Sequence, residues 1–213
     1  MEGRHVNGRL GILGAGKLGT AVARLAVDAG REVLIADERT GPMIELVVST
    51  VAAGARFLGV DEMLASSDIV LLAIPYSRLR DLDTAKLAHA IVIDASNPWL
   101  EVDGANPPES PLKGRAGLRL VRTLNHVAYE QLMAFAEPAG EPFRTAVALA
   151  SDDIAARAEV AALINDLGFD PVELDDRSAW LLDTNGPFFG RRLSKLEMNA
   201  VVSASRRADR LAW

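Results

Sequence analysis

The chain has 213 residues, of which 49% are hydrophobic and 24% are charged, and its formal net charge is -6. This composition is typical of a globular protein with its own core and excludes a disordered chain. A negative net charge opposes contact with a phosphate backbone, so we exclude nucleic acid as a partner. The absence of cysteine excludes disulfides and thiolate catalysis.

Apolar segments in this chain are all shorter than the roughly 18 residues that a membrane-spanning helix needs. The first eight residues are polar and do not resemble a signal peptide. We therefore expect a cytoplasmic protein with no membrane partner. No His, Asp and Glu residues have the spacing of a metal site.

Strand and helix patterns alternate along the sequence from residue 10 onward. Strands are predicted over residues 10–13, 32–36, 55–58, 68–74, 90–94, 118–122, 145–150 and 169–174. Helices are predicted over residues 17–29, 42–53, 77–88, 126–135, 152–167 and 191–211, with Ser151 as the N-cap of the fifth. The proline-rich segment 97–117 is predicted to be a long loop or a lid. This alternation predicts an α/β fold with a doubly wound, mostly parallel sheet. We expect a single domain over residues 1–213, with a C-terminal helical extension from about residue 177.

A glycine motif lies between the first predicted strand and the first predicted helix. Gly14-Ala15-Gly16-Lys17-Leu18-Gly19 is a complete G-x-G-x-x-G in a strand-turn-helix context. Such a Rossmann-type turn uses its first glycine for the bend, its second for close approach of a diphosphate and its third for helix packing. Free amides at the helix N-terminus would then bind that diphosphate. The motif therefore predicts that residues 14–19 bind NAD or NADP.

Two residues after the second predicted strand bear on the choice of dinucleotide. Asp37 lies about 20 residues beyond the motif, where a carboxylate accepts hydrogen bonds from the ribose hydroxyls of NAD. Arg39 has the guanidinium that would bind the 2′-phosphate of NADP. A solvated loop arginine is an equally good interpretation of Arg39. The residues alone leave the choice between NAD and NADP open.

The carboxyl ends of the later strands are the expected site of the nicotinamide. Ala73, Ile74 and Pro75 follow one strand, and Asn97 follows the next. Asn125 and His126 follow a third strand, and we consider both as catalytic candidates, Asn125 through hydrogen bonds to the nicotinamide and His126 through acid-base chemistry. Turn or capping roles are the alternative for each asparagine, and a packing role is the alternative for His126.

Five segments in order, GILGAGKLGTAVA, DIVLLAIPY, DASNP, LVRTLNH and INDLGFDPVEL, resemble the NADP oxidoreductases that depend on the deazaflavin coenzyme F-420. The resemblance implies hydride transfer between NADPH and the deazaflavin. It also implies that Gly14 to Gly19 hold the diphosphate, that Arg39 lies near the 2′-phosphate and that Pro75, Asn97 and Asn125 surround the rings. The acidic pair Asp37-Glu38 departs from the short neutral pair usual in this family, which keeps NAD as an alternative.

Other functions remain open from the sequence. The hydride acceptor is either coenzyme F-420 or another small molecule, such as a carbonyl or imine compound. A dinucleotide-sensing protein without turnover is an alternative of a different class. The amphipathic C-terminal helix, residues 191–211, is predicted either to pack on its own domain or to form a homodimer contact.

Overall fold

A computed structural model describes residues 8–99, 110–142 and 144–211 of the chain. Eight strands occur in these ranges: β1 Leu10–Leu13, β2 Val33–Ala36, β3 Arg56–Phe57, β4 Ile69–Leu72, β5 Ile91–Asp94, β6 Arg119–Thr123, β7 Ala146–Ala150 and β8 Asp170–Leu174. The α-helices in the same ranges are α1 Lys17–Asp28, α2 Pro42–Val51, α3 Val60–Ala65, α4 Tyr129–Phe135, α5 Ile154–Asp166 and α6 Lys195–Leu211. Residues 100–109 of the predicted proline-rich loop lie outside the described residues.

The eight strands form one sheet in the order β3-β2-β1-β4-β5-β6-β7-β8. Strands β1 to β6 pair in parallel, β7 runs antiparallel to β6, and β8 runs parallel to β7. The chain crosses from one half of the sheet to the other between β3 and β4, so the strand order reverses at β1 and β4. A crevice beyond the carboxyl ends of these two strands is the usual ligand site of such a sheet. The predicted doubly wound, mostly parallel α/β fold is confirmed.

Apolar side chains cover both faces of the central strands. Ile12 of β1 packs with Val22 of α1 on one face, in a cluster that also contains α5. Leu13 of the same strand packs with Met63 of α3 on the other face. Central strands of parallel sheets need this continuous apolar character because neither face contacts water. Burial therefore fixes the positions of the strand ends that carry the candidate site.

One predicted helix differs from the structure, and one helix of the structure was not predicted. Residues 77–88 form two short 3-10 segments, Tyr76–Asp81 and Thr84–Leu87, in place of one α-helix. The side chain of Asp83 accepts the backbone N–H of Ala85, which starts a new turn and interrupts the helix. Helix α3 was not predicted, although Asp61 and Glu62 in its first turn suit the positive end of a helix.

The predicted N-cap at Ser151 was also wrong. Asp153 caps α5, because its carboxylate accepts the backbone N–H of Ala156 at 2.9 Å. The hydroxyl of Ser151 instead donates to the carbonyl of Leu120 on β6 at 2.7 Å. Ser151 therefore links β7 to β6 and does not begin the helix.

Helix α6 begins at Lys195, four residues after its predicted start, and packs on its own domain. Met198 and Val202 are buried with residues of β7 and β8 and with Phe188. This apolar face is therefore used within the chain, and a homodimer contact through α6 stays a prediction. Among the described residues, we find no helix that is both long and apolar enough to cross a membrane.

Candidate dinucleotide site

The glycine loop between β1 and α1 is packed against its surroundings at two of its three glycines. Gly14 has a φ of 112°, a conformation that glycine adopts without strain, and a Cβ there would overlap the carbonyl oxygen of Ala73. A Cβ on Gly19 would overlap the carbonyl oxygen of Gly14. By contrast, a Cβ on Gly16 would meet no atom within 4 Å. The loop is thus closed toward the protein and open at Gly16, which is the side a diphosphate would approach.

The first turn of α1 offers amides to an anion. The first N–H groups of any α-helix have no partner inside the helix, and they carry its positive dipole end. The first turn of α1 contains no acidic side chain that would compete for these groups. Lys17 lies beside them, with its ammonium 5.1 Å from the centre of the Tyr129 ring. This arrangement suits a bound phosphate group.

Asp37 is connected to both the glycine loop and Arg39. Its Oδ2 accepts the backbone N–H of Ala15 at 2.8 Å and Nη2 of Arg39 at 2.9 Å. Its Oδ1 accepts the backbone N–H and Nε of Arg39, each at 2.9 Å. The Arg39 hydrogen bonds outweigh the effect of burial and lower the pKa of Asp37 to about 2. The carboxylate is therefore ionised, and its four acceptor positions are filled by protein donors.

This geometry changes the interpretation of Asp37 and Arg39. A carboxylate with every lone pair engaged has no acceptor left for ribose hydroxyls while Arg39 stays in place. Arg39, in turn, is fixed at the end of β2 with 69% of its side chain exposed. Its outward edge remains accessible beside the glycine loop. A second ion pair, Arg78 to Glu38 at 2.7 Å, links the segment after β4 to the same end of β2.

A cavity of about 340 Å³ lies beyond the carboxyl ends of β4 and β5. Its lining includes four residues that the sequence predicted for the nicotinamide site and one from the glycine motif: Ala73, Ile74, Pro75, Asn97 and Leu18. Trp99, with 48% of its surface exposed, and Tyr76, which is buried, complete one side. The fold thus brings the glycine loop and the predicted ring-binding residues to one crevice.

Asn97 and Asn125 form a reciprocal pair at the edge of this cavity. The side-chain amide of Asn97 donates to the carbonyl of Asn125, and Nδ2 of Asn125 donates to Oδ1 of Asn97 at 3.1 Å. Nδ2 of Asn125 also donates to the carbonyl of Leu182 at 2.7 Å. Oδ1 of Asn125 is buried and has no hydrogen-bond partner among the described residues. This oxygen therefore keeps its capacity to accept a hydrogen bond.

Leu124, which precedes Asn125, has an unusual backbone conformation. It has a φ of 64°, which makes it the one described non-glycine residue with a positive φ. Such a conformation is unfavourable for a leucine and persists only where the surroundings enforce it, which is common at functional sites. Burial of the Leu124 side chain provides that enforcement.

His126 has the environment of a packing residue. Its ring is buried, and Nε2 accepts the backbone N–H of Ala148 at 3.2 Å. Burial, with a smaller effect from the positive charge of Arg122, lowers the pKa of His126 to about 3. The imidazole is therefore neutral near pH 7, and it does not line the cavity of about 340 Å³. A catalytic role for His126 stays a prediction that this geometry does not favour.

Charged residues inside the sheet were not recognised from the sequence. Asp94 and Arg122 are register partners in β5 and β6, within a row whose neighbours are Leu72 and Ala150. Asp94 accepts the hydroxyl and the backbone N–H of Ser96, but its Oδ2 is buried without a partner among the described residues. The sequence features that indicated this row were a carboxylate at the end of the apolar strand IVID and a guanidinium within the strand RLVRT.

Comparison with known proteins finds a family match in the N-terminal part of the chain. Residues 9–98 match the model of the family described as NADP oxidoreductase, coenzyme F-420-dependent. Over these residues the chain is similar to that family. The family segment contains the glycine loop, Asp37, Arg39, Pro75 and Asn97, and it ends just after β5. The resemblance deduced from the sequence is confirmed for this segment.

Known proteins that resemble this chain differ in how much of it they share. A glyoxylate reductase from Thermococcus onnurineus (strain NA1) is 36% identical over 77 residues, which are 36% of this chain and 22% of the relative. The chain thus spans about a fifth of the length of that curated relative.

Solved structures extend the similarity over most of the fold. A hypothetical protein from Sinorhizobium meliloti is 25% identical with a TM-score of 0.72, over 88% of this chain and 95% of the other. A candidate F-420-dependent NADP reductase from Arthrobacter sp. FB24 is 24% identical with a TM-score of 0.65, over 82% of this chain and 90% of the other. At this identity the likeness to the Arthrobacter protein shows the shared fold alone.

Proposed function

We propose that the chain is an NADPH-dependent oxidoreductase that transfers a hydride from the nicotinamide to coenzyme F-420 or to a similar small acceptor. The observation that carries this proposal is the glycine loop, which is open at Gly16 and connected through Ala15 to Asp37 and Arg39. The match of residues 9–98 to the F-420-dependent family supports it. NADH is the alternative donor.

The dinucleotide fits the arrangement of the loop. The diphosphate would lie over Gly16 and accept hydrogen bonds from the first-turn amides of α1, which include those of Lys17 and Leu18. The amide of Ala15 donates to Asp37, so Ala15 supports the loop and does not use its amide on the ligand. Gly14 and Gly19 keep the loop close to β4 and α1.

Arg39 supports NADP over NAD. Asp37 holds the guanidinium beside the expected position of the adenosine ribose and leaves its outer edge exposed. That edge can donate to a 2′-phosphate, which is the group that distinguishes the two dinucleotides. Asp37 then acts as a positioning residue for Arg39 and for the loop, and not as a ligand of the ribose.

The ring end of the cofactor would lie in the cavity of about 340 Å³. Ile74 and Pro75 provide an apolar wall. Oδ1 of Asn125, which has no hydrogen-bond partner among the described residues, would accept an N–H of the nicotinamide carboxamide. The bound cofactor supplies the hydride, and each turnover oxidises one reduced nicotinamide and consumes one proton. Hydride transfer needs the two reacting rings to be held close and aligned, so the contribution of these residues is orientation.

Turnover is tested by following the absorbance of NADPH and NADH, each mixed with oxidised F-420 or with glyoxylate. We expect NADPH to be oxidised faster than NADH when F-420 is the acceptor. Tight binding of NADPH without oxidation by either acceptor would instead favour the dinucleotide-sensing alternative. Failure of both dinucleotides to bind would remove the proposal.

A further inference from the structure

A second and larger cavity, of about 640 Å³, lies beside β6, and the proposed cofactor site does not use it. Its walls come from the turn at residues 110–118, from β6, from the end of β7 and from the 3-10 segment Asp176–Leu182. Leu118, Leu120 and Ala179 provide apolar surface, and Trp180 contributes an indole that is 49% exposed. A volume and lining of this kind suit a small organic molecule.

A row of paired residues in neighbouring strands lies between the two cavities. Ser96 lines the smaller cavity, and its hydroxyl donates to Asp94 at 2.6 Å. Asp94 is the register partner of Arg122, and Arg122 lines the larger cavity. The two cavities therefore approach each other at Asp94 and Arg122, next to the expected position of the nicotinamide.

The charges of the larger cavity favour an anion. Four acidic side chains among the described residues line it, Asp152, Asp153, Asp176 and Asp183. Asp183 pairs with Arg122 at 2.8 Å, Asp153 pairs with Arg119 at 2.9 Å, and Asp152 accepts the backbone N–H of Asp176 at 3.1 Å.

Two of the basic residues in its lining, Arg115 and Arg177, form no ion pair within the part of the chain that the structure describes. Nε of Arg122 also lacks a hydrogen-bond partner among the described residues. Four basic residues in this part of the chain line the cavity, Lys113, Arg115, Arg122 and Arg177. Arg119 pairs with one of the four carboxylates, so the basic groups outnumber the acidic groups by one and leave a small surplus of positive charge.

We propose that this cavity holds the anionic part, a carboxylate or a phosphate, of the hydride acceptor, with Arg122 as the inner anchor, Arg177 as an outer contact and Trp180 as an apolar wall. The inference rests on the proposed function, because it assumes that an acceptor meets the nicotinamide between the two cavities. Arginine is suited to this role because its planar donors match the oxygens of both groups.

Trp180 provides a local reporter of occupancy. In a protein carrying Trp99→Phe and Trp213→Phe, Trp180 is the remaining tryptophan of the three in the sequence. This protein is saturated with NADP+ and titrated with glyoxylate, with inorganic phosphate and with oxidised F-420 while the Trp180 emission is measured. Glyoxylate tests a carboxylate alone, phosphate tests a phosphate alone, and F-420 offers both groups on a ring.

We expect a saturable change with at least one of these probes, and we expect Arg122→Met to weaken its apparent Kd by about tenfold or more. Arg122→Met removes the partner of Asp183, so Arg177→Gln provides a second variant at an exposed position. Arg177→Gln is expected to weaken the same probe severalfold. Arg56→Gln, on edge strand β3, is the matched control and should leave the Kd unchanged.

The inference is overturned if no probe changes the Trp180 emission, or if Arg122→Met and Arg177→Gln bind the probes as the parent does. Calorimetric titration of NADP+ into the same proteins separates this failure from a failure of the proposed function. If NADP+ binds but no probe changes the Trp180 emission, the acceptor cavity is rejected and the proposed function is not. Absent NADP+ binding would reject the proposed function, and titration without NADP+ would then still test the cavity.

Discussion

The carboxylate of Asp37 accepts the backbone N–H of Ala15 at 2.8 Å and thereby joins the end of β2 to the glycine loop. The same carboxylate holds the guanidinium of Arg39 through both of its oxygens. One buried acidic residue thus sets the shape of the diphosphate loop and the position of the group that would select NADP. The predictions below follow from this connection and from the neighbouring cavity.

Arg39→Gln should reduce the preference for NADPH. The substitution removes a charge-assisted contact to the 2′-phosphate, so we expect the KM for NADPH to rise about tenfold to a hundredfold while the KM for NADH changes little. Steady-state rates with both dinucleotides measure this. Arg56→Gln, an arginine 63% exposed on β3, is the control. An equal rise of both KM values would show that Arg39 does not contact the 2′-phosphate.

Asp37→Asn should destabilise the protein in a pH-dependent way. The folded-state pKa of about 2 lies below the ordinary 3.8, so the ionised carboxylate stabilises the fold above about pH 4. This contribution, at most about 2 kcal/mol, is lost as the pH falls from about 4 to about 2. Urea unfolding should therefore show a less stable variant at pH 7, with a difference that narrows below pH 4. A constant difference over that range would contradict the ion pair.

Three glycine variants test how the loop after β1 is packed. Gly19→Ala places a Cβ against the Gly14 carbonyl, so we expect a marked loss of thermal stability. Gly16→Ala meets no protein atom, so its Tm should stay close to that of the wild type. Gly59→Ala, at a position with a φ of -63° and open space, is the control for both. A stable Gly19→Ala protein would mean that the loop is not packed as described.

Asn125→Ala should slow hydride transfer and also destabilise the fold. The substitution removes the acceptor proposed for the carboxamide and leaves the carbonyl of Leu182 without its donor. We expect kcat to fall about tenfold or more and stability to fall by about 1 to 3 kcal/mol. Stopped-flow rates and thermal unfolding measure the two effects. An unchanged kcat would remove Asn125 from the ring site.

His126→Gln should leave the pH profile of the reaction unchanged and alter the pH dependence of stability. In the folded state the pKa of His126 is lowered to about 3 from 6.5, so only the unfolded chain takes up this proton as the pH falls below about 6.5. Between pH 7 and 5, the stability of the variant relative to the wild type should improve by about 2 kcal/mol. Loss of turnover in a folded His126→Gln protein would restore the catalytic hypothesis.

Strong local signals made much of the fold predictable from the sequence. Continuous apolar runs such as residues 69–72 can be satisfied only by a strand buried on both faces, and the structure has β4 there. The glycine motif was equally informative, because Gly14 and Gly19 meet backbone atoms that leave no room for a side chain. The structure of residues 77–88 was harder to predict, since Asp83 binds a backbone amide and interrupts a pattern that otherwise indicates a helix.

The candidate site was harder to predict from the sequence, because it is formed by contacts between residues that are far apart in the chain. Asp37 was expected to bind a ribose, yet its oxygens are filled by Ala15 and Arg39, and a sequence does not show which donors reach a carboxylate first. The pair Arg122 and Asp183 joins residues 61 positions apart in the sequence. Such pairings are set by the order of strands in the sheet, so the larger cavity became visible only in three dimensions.

Titration calorimetry of NADPH into the wild-type chain and into Gly16→Ala tests most directly whether the loop after β1 binds a dinucleotide. We expect the wild type to bind one NADPH per chain with a Kd in the micromolar range and Gly16→Ala to bind at least about tenfold more weakly, because its methyl group occupies the approach of the diphosphate. Absence of binding by the wild type, or an equal Kd for the two proteins, would contradict the assignment.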